Sequence, residues 1–203
     1  MGDHFALLGE PRRPWLDQEA LKQKFLSASA SVHPDRIHNA SPAEKQSANQ
    51  HFAELNTAFN CLREPKDRLR HLLELETGAK PKDLQDIPPD LAELFLEVAR
   101  LRQDAKRFVA ERAKADSPLL RVQFFERAQE WIESLNNMQG RLKGQEEDLL
   151  ASLHDVDKQW QQMGHGLAQR RELLGNIENI YRLLSFNTRW SLQLQETIVH
   201  LMF

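Results

Sequence analysis

The 203-residue sequence predicts an all-α protein, and three observations support this fold class. Apolar residues recur at i, i+3/i+4 and i+7 through most of the chain, which is the spacing of helices with one buried face. Alternating apolar and polar residues, the pattern of half-buried strands, are absent. Several prolines and glycines stand where a periodic stretch begins or ends. The chain is therefore predicted to form an N-terminal helical hairpin followed by a C-terminal antiparallel helical bundle.

Two apolar stripes near the amino terminus predict the helical hairpin. Its first helix carries Leu21, Phe25, Ala28 and Val32, and its second carries Ala48, Phe52, Leu55, Phe59 and Leu62. Ser41 and Pro42 precede the second stripe, and these residue types favour a helix N-cap and a first helical turn. We therefore expect two helices joined by a short connection, each with one buried face.

Single residues mark the remaining helix ends in this half of the chain. Gly9 ends a short helix at the start of the chain, and Asp17 can cap the first helix of the hairpin. Pro65 can start a further short helix, which Gly78 stops. These elements complete a predicted first domain, residues 1–78.

Residues 79–89 hold three prolines and almost no periodicity, so we interpret them as a linker. The second domain, residues 90–203, is predicted to be all helix, with Ser117 and Pro118 opening one of its helices. Its stripes include Leu91, Leu94, Phe95, Val98, Leu101, Phe108, Ala128, Ile132, Leu135, Leu142, Leu149, Leu153, Val156, Leu173, Ile177, Leu184, Leu194, Ile198 and Leu201. Large aromatics on or beside these stripes are expected to supply core area rather than an exposed client patch. They are Trp131, Trp160, Trp190, Phe124 and Phe125.

The composition excludes several classes of function. The net charge is only −3, so no strong field attracts nucleic acid or an anionic membrane. Lone Cys61 excludes an internal disulfide and fits a reducing compartment. No basic region followed by an apolar run opens the chain, and no stretch approaches about 18 continuous apolar residues. We therefore expect a cytoplasmic protein that binds neither nucleic acid nor a membrane.

The predicted connection of the hairpin contains the tripeptide His33-Pro34-Asp35. Pro34 has a fixed φ and also disfavours the helical region for His33, so the connection begins stiff. Asp35 and Arg36 then project charge from a rigid tip. Such a loop is suited to docking onto another macromolecule.

This tripeptide, in register with the two helices, resembles the J-domain, and more closely the J-domain of HscB-type co-chaperones of iron–sulfur cluster assembly. The matching runs are Asp3-His4-Phe5-Ala6-Leu7-Leu8-Gly9, Leu55-Asn56-Thr57-Ala58-Phe59 and Leu62-Arg63-Glu64-Pro65, with Arg68 and Leu72-Leu73 behind them. The resemblance covers residues 1–78 strongly and the remainder loosely. It implies a co-chaperone that stimulates the ATPase of a DnaK/HscA-type heat-shock chaperone and delivers a client, the iron–sulfur scaffold protein.

The resemblance also implies which residues bind the chaperone. They are His33, Pro34, Asp35 and Arg36, with the basic Lys22 and Lys24 on the preceding helix. Basic side chains orient the encounter with an acidic partner, and a carboxylate can accept charge-assisted hydrogen bonds from an arginine. The plainer alternative is a loop aspartate that caps the next helix beside two solvated lysines. Val32 departs from the family, which often has an aromatic residue before the tripeptide.

For the client, the similar stretch is Leu94 to Gln103. The implied contacts are Phe95, Leu96 and Ala99, with Phe186 as a further contact or, equally, a core residue. Arg100 and Gln103 stand where the family tends to have acids, and this changes the charge pattern that sets specificity.

Catalytic and metal-binding functions find little support. His33, His38, His51 and Cys61 lack paired ligand spacing. Neither a nucleophile elbow nor a Gly-rich phosphate loop is present. We therefore expect a protein that is not an enzyme and holds no metal or cofactor.

Two alternatives stay open. One is a J-protein with an unrelated client, since the acidic client positions differ. The other is a coiled-coil scaffold with a vestigial J-domain, against which intact Asp35 argues.

Overall fold

The computed structural model describes residues 2–32, 41–81, 87–114, 117–162 and 167–202, and these form seven α-helices. They are α1 (His4–Leu7), α2 (Gln18–Val32), α3 (Pro42–Arg63), α4 (Pro65–Thr77), α5 (Ala92–Arg112), α6 (Pro118–Gln162) and α7 (Leu167–Met202). A single 3-10 turn, Pro89–Leu91, precedes α5. No strand occurs within these ranges. The predicted all-α fold class is confirmed.

The helices begin and end at the residues that the sequence indicated. Asp17 accepts a hydrogen bond from the Ala20 amide at 2.7 Å at the start of α2. Ser41 and Glu44 form a reciprocal capping box at the start of α3. Ser117 accepts a bond from the Leu120 amide at 3.2 Å in the first turn of α6. Gly78 ends α4 with φ +73°, a left-handed conformation that favours glycine.

The chain divides into two compact units. The first comprises Met1–Lys82 and Ala151–Tyr181, and the second comprises Asp83–Leu150 and Arg182–Phe203. The segment Ala151–Tyr181 therefore groups with the amino-terminal helices, whereas the sequence assigned it to the second domain. The boundaries 1–78, 79–89 and 90–203 stay a prediction.

The core of the first unit joins the amino-terminal helices to parts of α6 and α7. Its buried apolar residues are Phe5, Leu8, Leu16, Leu21, Leu55, Ala58, Leu62, Leu69, Leu72, Leu73, Leu153, Val156, Trp160, Leu173, Ile177 and Ile180. Phe25 and Phe59 are half-buried and stack with ring centroids 4.5 Å apart, which packs α2 on α3. Phe52, a predicted core residue, is only half-buried. Each fully buried leucine stabilises the unit by about 1.5–3 kcal/mol.

The second unit is a helical bundle. In it, α5 and α7 run in the same direction, because Arg102 contacts Gln193 and Arg112 contacts the carbonyl of Leu201. The α6 segment runs opposite to α7, since Asn187 donates to Leu142 O at 2.7 Å and Gln139 contacts Gln195 further along. The core contains Leu91, Leu94, Val98, Ala105, Phe108, Ala128, Leu135, Met138, Leu142, Phe186, Trp190, Leu194, Ile198 and Leu201.

The large aromatics are core residues with one exception. Trp160 and Trp190 are buried, and Phe124 and Trp131 pack in part against the core. Phe125 is 65% exposed, so the expectation of core packing is wrong at this position. The reason is geometric, because adjacent residues on a helix point about 100° apart and only one of the Phe124-Phe125 pair can face the core.

Candidate functional site

The predicted chaperone-binding tripeptide lies outside the described residues. His33, Pro34, Asp35 and Arg36 fall between the last residue of α2 and the N-cap of α3, so their assignment stays a prediction. The two helices that flank this connection are described.

The run Leu55-Asn56-Thr57-Ala58-Phe59 packs α3 against its neighbours. Leu55 and Ala58 are buried at 1% and 0% exposure, and the small Ala58 side chain permits close approach of the helices. Phe59 stacks on Phe25, and Arg63 lies over the Phe59 ring at 5.6 Å. Gln18 at the start of α2 donates to Arg63 O at 3.0 Å. These contacts fix the ends of both helices from which the connection extends.

The two predicted lysines on α2 have different surroundings. Lys24 Nζ donates to Gly9 O at 2.8 Å and lies 3.0 Å from the Glu10 carboxylate, which is nearly buried. Lys22 is 56% exposed, and its nearest acidic partner among the described residues is the equally solvated Glu19 at 3.8 Å. A pair of this kind is worth little in water. Lys22 is therefore the more available cation, whereas Lys24 ties α2 to the segment after α1.

An exposed apolar residue on α2 was missed in the sequence. Leu26 is 49% exposed and lies one helical turn after Lys22, on the same face. The signal was its position outside the buried stripe of Leu21, Phe25 and Ala28. A leucine beside a free lysine gives this face both an apolar and a charged contact.

The predicted client residues separate into surface and core. Leu96 is 49% exposed, and Ala99 is partly exposed on the same side of α5. Phe95 lies at the edge, with its ring centroid 6.1 Å from that of Trp190. Phe186 is 3% exposed and packs on Trp190 within the core. Its burial agrees with the core alternative and leaves little surface for a client.

Titratable groups in the first unit are shifted by burial. Burial raises the pKa of the Cys61 thiol to about 11, and the nearby Asp67 carboxylate acts in the same direction. The thiol therefore stays protonated at neutral pH, whereas metal ligation requires the thiolate. Burial also lowers the pKa of His71, and the neighbouring His4 adds to this effect. The His4 amide donates to His71 Nε2 at 3.0 Å.

Two searches of the described ranges found no candidates. No group of three or more His, Cys, Asp or Glu side chains there is arranged to hold a metal ion. No helix in those ranges has the length and apolar content needed to cross a bilayer.

The chain is thus an all-α protein that combines a J-domain-like hairpin with a helical bundle. No protein-family model matches it. It is 38% identical to the co-chaperone protein HscB homolog of Bordetella pertussis over 127 residues, which is 60% of this chain and 74% of that protein. The HscB homolog of Bordetella petrii is 35% identical over 127 residues, covering 54% of this chain and 75% of that protein. The chain belongs to the HscB co-chaperone family.

Solved structures agree in fold. Chaperone HscB from Vibrio cholerae superposes with a TM-score of 0.60 at 22% identity, covering 96% of each chain. Human co-chaperone protein HscB gives a TM-score of 0.59 at 17% identity, covering 95% of this chain and 82% of the human one. At these identities the likeness concerns the fold alone.

Proposed function

We propose that this chain stimulates the ATPase of a DnaK/HscA-type chaperone and delivers an iron–sulfur scaffold protein to it as client, in the cytoplasm. The observation that carries the proposal is membership of the HscB co-chaperone family at 38% identity over 127 residues. The sequence supports it through His33-Pro34-Asp35, which stands between the two helices of the hairpin.

The chaperone-binding surface would combine the tripeptide with the exposed face of α2. Asp35 would accept charge-assisted hydrogen bonds from a partner arginine, and Lys22 would orient the encounter with an acidic partner surface. Leu26, at 49% exposure, would add an apolar contact. Lys24 is already engaged by Gly9 and Glu10, so we assign it a smaller part in binding.

The test of the chaperone surface is an ATPase assay with the cognate DnaK/HscA-type chaperone. The full chain should raise the hydrolysis rate, and Asp35→Asn should remove most of that stimulation. Asp155→Asn is the matched control, because Asp155 is an aspartate with a 69% exposed side chain on α6. Both variants should melt like the original. Equal stimulation by Asp35→Asn and the control would refute the role of the tripeptide.

The client surface would be the exposed side of α5 around Leu96 and Ala99. An exposed leucine surrounded by charged residues has the make-up of an interface hot spot with a polar rim. Leu96→Ala should weaken binding of the iron–sulfur scaffold protein by about 5- to 10-fold, the effect of about 1 kcal/mol or slightly more. Its melting temperature should not change, since the side chain is half-exposed.

Two further variants make this test specific. Leu192→Ala removes a 62% exposed leucine from α7 of the same unit and should leave scaffold binding unchanged. Phe186→Ala should lower stability by about 3–5 kcal/mol, as for other buried phenylalanines. If Leu96→Ala lost stability rather than affinity, α5 would not present this client surface.

The exposed Arg100 and Gln103 favour a second candidate, a J-type co-chaperone for a different client. The same binding assay distinguishes the two, because the second candidate predicts chaperone stimulation without any binding of the scaffold protein.

A further inference from the structure

The solvent-facing side of α5 carries its charges in two separate strips. The acidic strip consists of Glu93, Glu97, Asp104 and Glu111, spaced by four and seven residues so that they align along the helix. The basic strip consists of Arg100, Arg102, Lys106 and Arg107. Arg100 and Arg107 are seven residues apart, and Arg102 and Lys106 are four apart, so these side chains also share one side of the helix.

The two strips face different neighbours within the unit. Glu97 on the acidic strip pairs with Arg141 of α6. Arg102 on the basic strip donates to Gln193 Oε1 of α7 at 2.7 Å. Lys106 and Arg100 are exposed, and no carboxylate within the described ranges pairs with either. The acids are thus directed to the α6 side, while free positive charge remains on the α7 side.

A groove of about 470 Å³ runs along the basic strip. Its lining residues are Ala99, Arg102, Gln103, Lys106, Arg107 and Ala110. The two alanines give it a floor of small apolar side chains, which lets another backbone approach closely. Leu96, 49% exposed, lies one turn before Ala99 on the same side of the helix. The groove therefore continues the proposed client surface towards the carboxyl end of α5.

We propose that this groove binds an acidic amphipathic segment of the client, with apolar residues against Ala99, Ala110 and Leu96 and carboxylates against Arg100 and Lys106. The inference rests on the proposed function, because it names the chemistry of the client at that same surface. Charge complementarity favours an acidic partner, and the apolar floor favours a protein segment that presents an apolar face. A polyphosphate chain would have no use for the floor and would be repelled by the adjacent acidic strip.

The experiment measures the affinity of the full chain for the iron–sulfur scaffold protein in charge-reversed variants. Arg100→Glu and Lys106→Glu should each weaken binding by at least about 10-fold, because a carboxylate would then face a carboxylate. Lys143→Glu is the matched control: it makes the same charge change at a 77% exposed side chain on α6 and should alter affinity less than about twofold. Binding by the original should weaken between about 0.05 M and about 0.5 M salt, as the screening length shortens.

The outcomes separate the inference from the proposed function. Unchanged or tighter scaffold binding by Arg100→Glu and Lys106→Glu would overturn the inference and leave the client assignment intact. No scaffold binding by the original would overturn the client assignment, and the inference with it. Self-association of the original that Lys106→Glu abolishes would make the groove an interface between copies of this chain and would also overturn the inference. Melting temperatures and stimulation of the chaperone in the absence of client should be unchanged in all three variants.

Discussion

The carboxylate of Asp157 is the most consequential single polar group in the first unit. It is 1% exposed, and both of its oxygens accept hydrogen bonds. Arg13 donates to it from Nε at 3.0 Å and again from Nη2, the Trp15 amide donates at 3.3 Å, and Gln161 donates at 2.7 Å. The donors come from the segment before α2 and from α6, so one carboxylate links two parts of the chain distant in sequence.

Asp157→Ala should lower the free energy of unfolding by about 2–4 kcal/mol. Removing one partner of a buried ion pair costs about 3–5 kcal/mol when the other charge stays buried. The Arg13 side chain is 23% exposed, so it can regain part of its hydration, and we place the expected loss below that maximum. Asp157→Asn should cost less, since an amide oxygen can still accept a bond from the Trp15 amide.

The assay is urea unfolding followed by tryptophan fluorescence. Trp15 and Trp160 report locally, because Trp15 is in the segment bonded to Asp157 and Trp160 Nε1 donates to Arg12 O at 2.9 Å. Asp155→Ala is the control: its carboxylate is 69% exposed and contacts Lys158, so its loss should cost less than about 1 kcal/mol. Equal stabilities for Asp157→Ala and Asp155→Ala would refute this account of the buried pair.

Three further predictions concern the same unit. Burial lowers the folded-state pKa of His71, so stability should be full above the unfolded value of about 6.5 and should decline as pH falls below it, a decline that His71→Phe should reduce in denaturation at pH 5 and pH 8. Cys61, with a pKa raised to about 11, should react with iodoacetamide at pH 8 far more slowly in the folded protein than in urea, and equal rates would contradict its protected state. Leu55→Ala, at a 1% exposed position, should cost about 2–5 kcal/mol, and Phe52→Ala should cost less than the 3–5 kcal/mol typical of a fully buried phenylalanine, about as measured for other half-exposed sites; a larger loss at Phe52 than at Leu55 would contradict the burial pattern.

Local chemistry explains which features were predictable. Ser41, Ser117 and Gly78 act within a few residues of their own positions, so a helix end can be read from them without knowledge of the fold. The pairing of Arg13 with Asp157 joins residues 144 positions apart, and no local pattern encodes it. One signal was present, because Asp157 stands on the same helical face as Leu153 and Trp160 and interrupts an apolar stripe with a charge.

The client surface shows the same limit. Phe186 precedes Trp190 and Leu194 at intervals of four residues, so its spacing alone indicated a core stripe. Its assignment to a contact came from the resemblance and carried no information about burial. Leu96 lies outside the stripe of Leu94 and Val98, and it is indeed exposed. The period of the helix distinguished the surface residue from the core residue more reliably than the family pattern did.

The two proposed docking surfaces share one arrangement of residues. On α2, Lys22 precedes the exposed Leu26 by four positions, and on α5 the exposed Leu96 precedes Arg100 by four positions. Residues four apart are neighbours on a helix surface, so each surface presents a half-exposed leucine beside a solvated cation.

Cations elsewhere in the chain are engaged internally. Arg12 pairs with Asp3, Arg13 with Asp157 and Lys24 with Glu10. Arg68, 1% exposed, donates to the carbonyls of Pro14 and Leu62. Since the chain has a net charge of −3, a cation without a strong internal partner is a selective feature of its surface. That two such cations lie beside exposed leucines, one on each proposed surface, is the physical reason to expect acidic partners at both.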